Sequence, residues 1–262
     1  MIIKNKHNRA LRTIEEWKTG FLEVDKRTHW CEGYSAHSLG LFFTTGKGLD
    51  WLRDLEKTIL GEVIEHTAAE IEHASKLDSY RGAQRMQDLA IWGKTVDGKT
   101  CFIGIEAKVL EPFGDLSIYD SFLSGIEERE ERNPRSKKAE RVYQVVNFLF
   151  GGRTPDDEAI KHLRYQLAHY FKASIVEAPS IEESSKPLNS TRSVADIVIL
   201  PVLVFRTTHY KQNTKLAENN YNDYIDFVNA LGYTKERIGD RDVYHAIIDG
   251  RDIYTVYEVR DL

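Results

Sequence analysis

The sequence predicts an α/β protein with a central sheet flanked by helices, and three observations carry that expectation. VADIVILPVLVF (194–205) is a nearly continuous β-branched run, the pattern of a strand buried on both faces. Asp97-Gly98 and Asp249-Gly250 each lie between strand-like segments and mark two hairpins. Elsewhere, apolar residues recur at helical spacing in segments closed by glycine.

Bulk properties bound the function. At 262 residues, the simplest reading is one α/β domain with extra helices. Hydrophobic residues are 41% and charged residues 29%, which excludes a disordered chain. A formal charge of −5 excludes a protein that coats nucleic acid through a broadly basic surface. Any such contact must be local, aided by cations held at an acidic site. Cys31 and Cys101 lack metal-ligand spacing, and Cys101, in an apolar strand, reads as a buried thiol. The N-terminus has no apolar signal core and no uncharged apolar run reaches spanning length, so the expectation is a cytoplasmic protein with no membrane partner.

Taken in order, residues 10–20 read as a short helix closed by Gly20, and Ser35 as the N-cap of a second helix that stops at the glycines around Lys47. From 49 to 74, Leu52, Leu55, Ile59, Val63 and Ile64 recur at helical spacing, so one helix, or two divided at Gly61, is expected. Its second half would carry Glu70 on a face with His66 and His73. Strands follow at 87–92 and 101–109, then helices at 117–130, 137–149 and 156–173. The run 194–205 is the central strand, NDYIDFVNALG a helix ended by Gly232, and DVYHAII with DIYTVYEV the last hairpin.

Three polar residues stand out in the first strand pair: Asp88, then Glu106 and Lys108 in CFIGIEAKV. Alternation puts Glu106 and Lys108 on one face and Ile105 on the other, and an antiparallel hairpin can bring Asp88 beside Glu106. Two carboxylates and the Ala107 carbonyl are hard oxygen donors suited to magnesium, and a lysine beside them can orient a water or offset developing charge. The residues alone leave open a structural pairing of Lys108 with one of the acids. A zinc site of His66, Glu70 and His73 lacks the usual HExxH order.

An acid on one strand followed by Glu-x-Lys on the next resembles the PD-(D/E)XK nuclease superfamily, although Gln87 stands where a proline often precedes the aspartate. Gln166 and Tyr170 form a Q-x-x-x-Y pair similar to that of RecB-type branches. HW-x-EGYSA, IEAKVLEPFG and LRYQLAH also look like an uncharacterised bacterial family with a nuclease-like core. The resemblance implies a restriction-endonuclease-like core with a mixed central sheet over 49–262, preceded by an N-terminal helical extension over 1–48. It implies a Mg2+- or Mn2+-dependent nuclease acting on nucleic acid, DNA above all, with restriction or phage defence as a setting. Asp88, Glu106 and the Ala107 carbonyl would hold metal, with Glu70 added from the helix before the first strand. Lys108 would assist the nucleophile, and Gln166 and Tyr170 would position lysine or phosphate, Tyr170 reading equally well as a core residue. Glu111 would hold a second metal or cap the next helix, the cap being favoured. Double-strand cutting needs two sites, which a homodimer would supply. An inactive binding or regulatory protein on the same fold is the alternative.

Overall fold

The structure, a computed structural model, describes residues 1–24, 30–80, 84–186, 192–212 and 214–262. Helices α1 (Ile14–Val24), α2 (Ser35–Thr44) and α3 (Lys47–Leu60) come first, then strands β1 (Glu65–Ser75), β2 (Arg85–Lys94) and β3 (Thr100–Lys108). Helices α4 (Ile118–Glu127), α5 (Lys138–Leu149), α6 (Tyr165–Ile175) and the short α7 (Ile181–Ser184) lead to β4 (Ile197–Arg206). The short α8 (Thr208–Gln212), α9 (Thr214–Ala230), β5 (Thr234–Ile238), β6 (Arg241–Ile248) and β7 (Arg251–Asp261) complete the chain.

The described strands form one mixed sheet in the order β1-β2-β3-β4-β7-β6-β5. β4 runs parallel to β3 on one side and to β7 on the other, and the remaining pairs are antiparallel. All of β4 except its last residue is buried, as the β-branched run predicts. Helices α1–α3 supply Trp17, Phe42, Trp51 and Leu55 to the face carrying Leu89, Ile103 and Ile105. Helices α4–α6 and α9 supply Val142, Leu167, Phe171 and Phe227 to the face carrying Trp92, Phe102 and Val198. The α/β expectation holds, with helices on both faces. The first 48 residues share a core with the sheet, and position 48 falls inside α3. No helix among the described residues is long and apolar enough to cross a membrane.

Several expected boundaries move. Helix α1 runs through Gly20, where a Cβ would meet Leu11 at 3.0 Å, so that glycine serves close packing and not termination. Tyr34 takes the N-cap position of α2, and Ser35 is its first residue. The larger correction concerns 62–74. Gly61, left-handed at φ 75°, ends α3 and closes onto the Lys57 carbonyl. The chain then forms β1, whose backbone pairs with β2 and whose outer edge accepts the N-terminal segment through Lys4 and Ala69. Sheet pairing outweighed the helical propensity of Glu and Ala here. Similarly, 156–164 is not helix. Ile160 and Leu163 do enter the core, but the Lys161 and Leu163 carbonyls accept the Tyr119 and Ile118 amides at the start of α4. Helix α4 also stops at Glu127, continuing as one wider π-helical turn to Arg132. The five-residue edge strand β5 (TKERI) offered no apolar alternation to read.

Candidate active site

Alternation along β3 sends Ile105 and Ala107 into the layer under α1–α3. Glu106 and Lys108 therefore face the α6 side, 2% and 6% exposed. Helix α6 lies against that face with matching spacing. Gln166 Nε2 donates to Glu106 Oε1 at 3.0 Å, and the Tyr170 hydroxyl, one turn on, donates to the Gly104 carbonyl at 2.6 Å. Four residues of helix rise about as far as two residues of strand, so both bonds form at once.

Lys108 Nζ stands 3.0 Å from Glu106 Oε1 and 5.4 Å from the centre of the Phe113 ring. Arg85, the first residue of β2, grips Glu106 Oε2 through its guanidinium. The β2–β3 ladder ends at Leu89 opposite Ile105. Beyond it, Asp88 Oδ2 takes the Ala107 amide at 2.7 Å, which satisfies a buried donor and orients the carboxylate. These groups share a cavity of about 570 Å³, with Tyr34, Ser35, Glu72 and Glu111 also in its wall.

The two acids part electrostatically. Burial and the neighbouring Glu106 charge push Asp88 up to about 7, against the pull of Lys108 and Arg85. Burial works against the Glu106 charge too, but Arg85 and Lys108 outweigh it and hold Glu106 below its ordinary range. Near neutrality the proton the pair retains therefore sits on Asp88.

Glu70 is not part of this cluster, and its expected metal role falls with the helix that was to present it. On β1 it is paired with Ala90, lines a separate cavity with Lys4 and His66, and stands 3.3 Å from His73 Nδ1. Glu72 lines the site cavity instead. Its φ of 49° is left-handed, rare for glutamate, and it turns the strand. Ile71 packs on the α1–α3 layer, whereas the His73 ring, only two residues on, lies edge-on to Trp92 in the opposite layer. The His66–Glu70–His73 zinc alternative also fails on geometry, since His66 Nε2 is 2.5 Å from Glu56 Oε1. Tyr170 is fully buried, and its hydroxyl is spent on the Gly104 and Pro201 carbonyls, so it braces β3 and β4 and does not enter the cavity. Glu111 accepts the amides of Ser35, Val109 and Leu110, which makes it a cap for the earlier helix α2 and not for the next one. Arg85 and Glu72 were not singled out from sequence. An arginine at a strand start has no local signature, and Glu72 was two residues from the glutamate a helical period selected.

Among the described residues, no three His, Cys, Asp or Glu side chains are placed to share one metal ion. What is present is a two-carboxylate donor set, Asp88 and Glu106, with the Ala107 backbone beside it. Burial raises Asp88 most and the Glu106 charge adds to it, and a divalent cation between the acids would relieve that like-charge repulsion. That sparse oxygen set suits a cation that keeps several of its waters, as magnesium does.

No curated protein and no solved structure matches the chain. A family model described as Domain of unknown function (DUF6946) matches residues 10–261, so the chain belongs to that family.

Proposed function

We propose that the protein is a Mg2+- or Mn2+-dependent nuclease hydrolysing phosphodiester bonds, of DNA in the first instance, on a restriction-endonuclease-like core. The observation that carries this reading is the meeting of Asp88, Glu106 and Lys108 in one cavity, with Lys108 Nζ 3.0 Å from Glu106. A bound divalent cation would supply a Lewis acid for the phosphate and ionise an attacking water. Asp88 and Glu106 would hold it. Lys108 offers a positive charge where negative charge builds on the phosphate, and Gln166 keeps the Glu106 carboxylate in register. Incubation with plasmid and oligonucleotide DNA in Mg2+ or Mn2+ should give cleavage that EDTA stops. Asp88→Ala and Lys108→Ala should abolish it while circular dichroism stays unchanged, and persistent cleavage by both purified variants would sink the assignment. A restriction or phage-defence setting, and a homodimer for double-strand cutting, follow from this reading as proposals.

A second reading, an inactive binding or regulatory protein on the same core, is favoured by one observation: Arg85, Lys108 and Gln166 already occupy the Glu106 carboxylate. Calorimetric Mg2+ titration separates the two. Binding that Glu106→Ala removes supports the enzyme, and no binding by the parent supports the scaffold.

A further inference from the structure

The candidate centre holds a cation that an acid, acid and lysine pattern does not require. Arg85 lies at the start of β2, its side chain 13% exposed, with its guanidinium on Glu106 Oε2 and its Cζ 5.9 Å from the Tyr170 ring centre. Its Nε is buried and has no hydrogen-bond partner among the described residues, so the side chain is not locked at every donor there.

Lone-pair capacity shows what Arg85 controls. A carboxylate oxygen has room for about two partners. Glu106 Oε1 already accepts Lys108 at 3.0 Å and Gln166 at 3.0 Å, so it is full. Asp88 Oδ2 is committed to the Ala107 amide. The Glu106 oxygen left for a cation shared with Asp88 is Oε2, which the guanidinium holds. A dication and a guanidinium on one buried oxygen repel, and little solvent screens them there. We infer that Arg85 is a positioning residue that holds Glu106 while the metal is away and must yield Oε2 before a divalent cation binds, so that it sets the metal affinity of the site. This inference rests on the metal-dependent reading above.

The test is calorimetric titration of the full chain with Mn2+ alone, without nucleic acid. Arg85→Met, which empties Oε2, should bind Mn2+ about tenfold more tightly or better, the scale set by releasing one charge-assisted hydrogen bond. Arg85→Lys keeps the charge but loses the planar fork, and should bind several-fold more tightly than the parent. Equal or weaker binding by folded Arg85→Met overturns the inference. Should Arg85→Met fail to fold, the lysine variant decides: affinity equal to the parent's overturns it. Manganese binding by Arg85→Met where the parent shows none supports it. If the parent binds Mn2+ and cleaves DNA while both variants match its affinity, this inference falls and the nuclease reading stands. If parent and variants alike bind no Mn2+, both fall.

Discussion

Replacing His73 with glutamine should remove a pH-dependent part of the stability and so isolate one buried imidazole. His73 lies on β1 just past the turn at Glu72, with Nε2 2.9 Å from Ser184 Oγ on α7 and 3.6 Å from Glu177. Glu177 in turn pairs with Arg192 at 2.6 Å, and both side chains are almost sealed from water. The cluster thus ties β1 to α7 and to the segment leading into β4. Burial alone would lower the His73 pKa, but the neighbouring Glu177 and Glu70 carboxylates outweigh it and raise it to about 9. Between 6.5 and about 9 the folded protein keeps a proton that the unfolded chain has released. The stability that protonated His73 contributes is therefore fully present below 6.5 and lost as pH rises through about 9. At about 1.4 kcal/mol per pH unit, the loss across that window amounts to about 3 kcal/mol. Urea unfolding of parent and His73→Gln at about pH 6 and about pH 9.5 brackets the window. The parent's advantage over the variant should shrink by about 3 kcal/mol at the higher pH. The difference is the quantity to read because Lys172, lowered to about 8 by burial, and Asp88, raised to about 7, titrate in both proteins and cancel. An advantage of the same size at both pH values would refute the reasoning.

Two further outcomes separate structural from chemical roles at the site. Tyr170→Phe leaves the Gly104 and Pro201 carbonyls without the buried hydroxyl, so the urea midpoint should fall by an amount worth about 1–2 kcal/mol, while Mn2+ affinity stays that of the parent. Loss of Mn2+ binding in that variant would mean that the tyrosine serves the centre itself. Glu111→Ala removes the acceptor of three amides, including the first of α2, and should cost about 1–2 kcal/mol of unfolding free energy with no change in metal stoichiometry. A lost binding equivalent in calorimetry would instead make Glu111 a ligand.

What could be read from residues was what local chemistry decides. Gly98 at φ 85° and the pair Asp249 and Gly250 at φ 52° and 74° are turns whose left-handed backbone selects those residue types. Gly232, at φ 73°, ends α9 for the same reason. A β-branched run such as that of β4 has few places to go except the middle of a sheet, and alternation along β3 suffices to put Glu106 and Lys108 on one face.

Where the partners of a segment are distant, the residues carried little. The 62–74 stretch had a helical apolar period, yet its backbone amides and carbonyls found β2 and the N-terminal segment, and 156–164 spent its carbonyls on α4. The left-handed turn at Glu72, which neither a helical nor a strand period foretells, accompanies the separation of Glu70, outside the cavity, from Glu72, in its wall.

The sequence by itself determined the hairpins, the central strand and the shared face of Glu106 and Lys108, because each depends on conformations a few residues choose among themselves. Only the tertiary structure decided that Arg85 would meet Glu106, that Gln166 would reach it from α6 while Tyr170 turned to backbone carbonyls, and that Asp88 would sit beside a like charge. Those outcomes depend on ladder register and on the docking of α6, which are settled by burial and hydrogen bonding across the whole sheet.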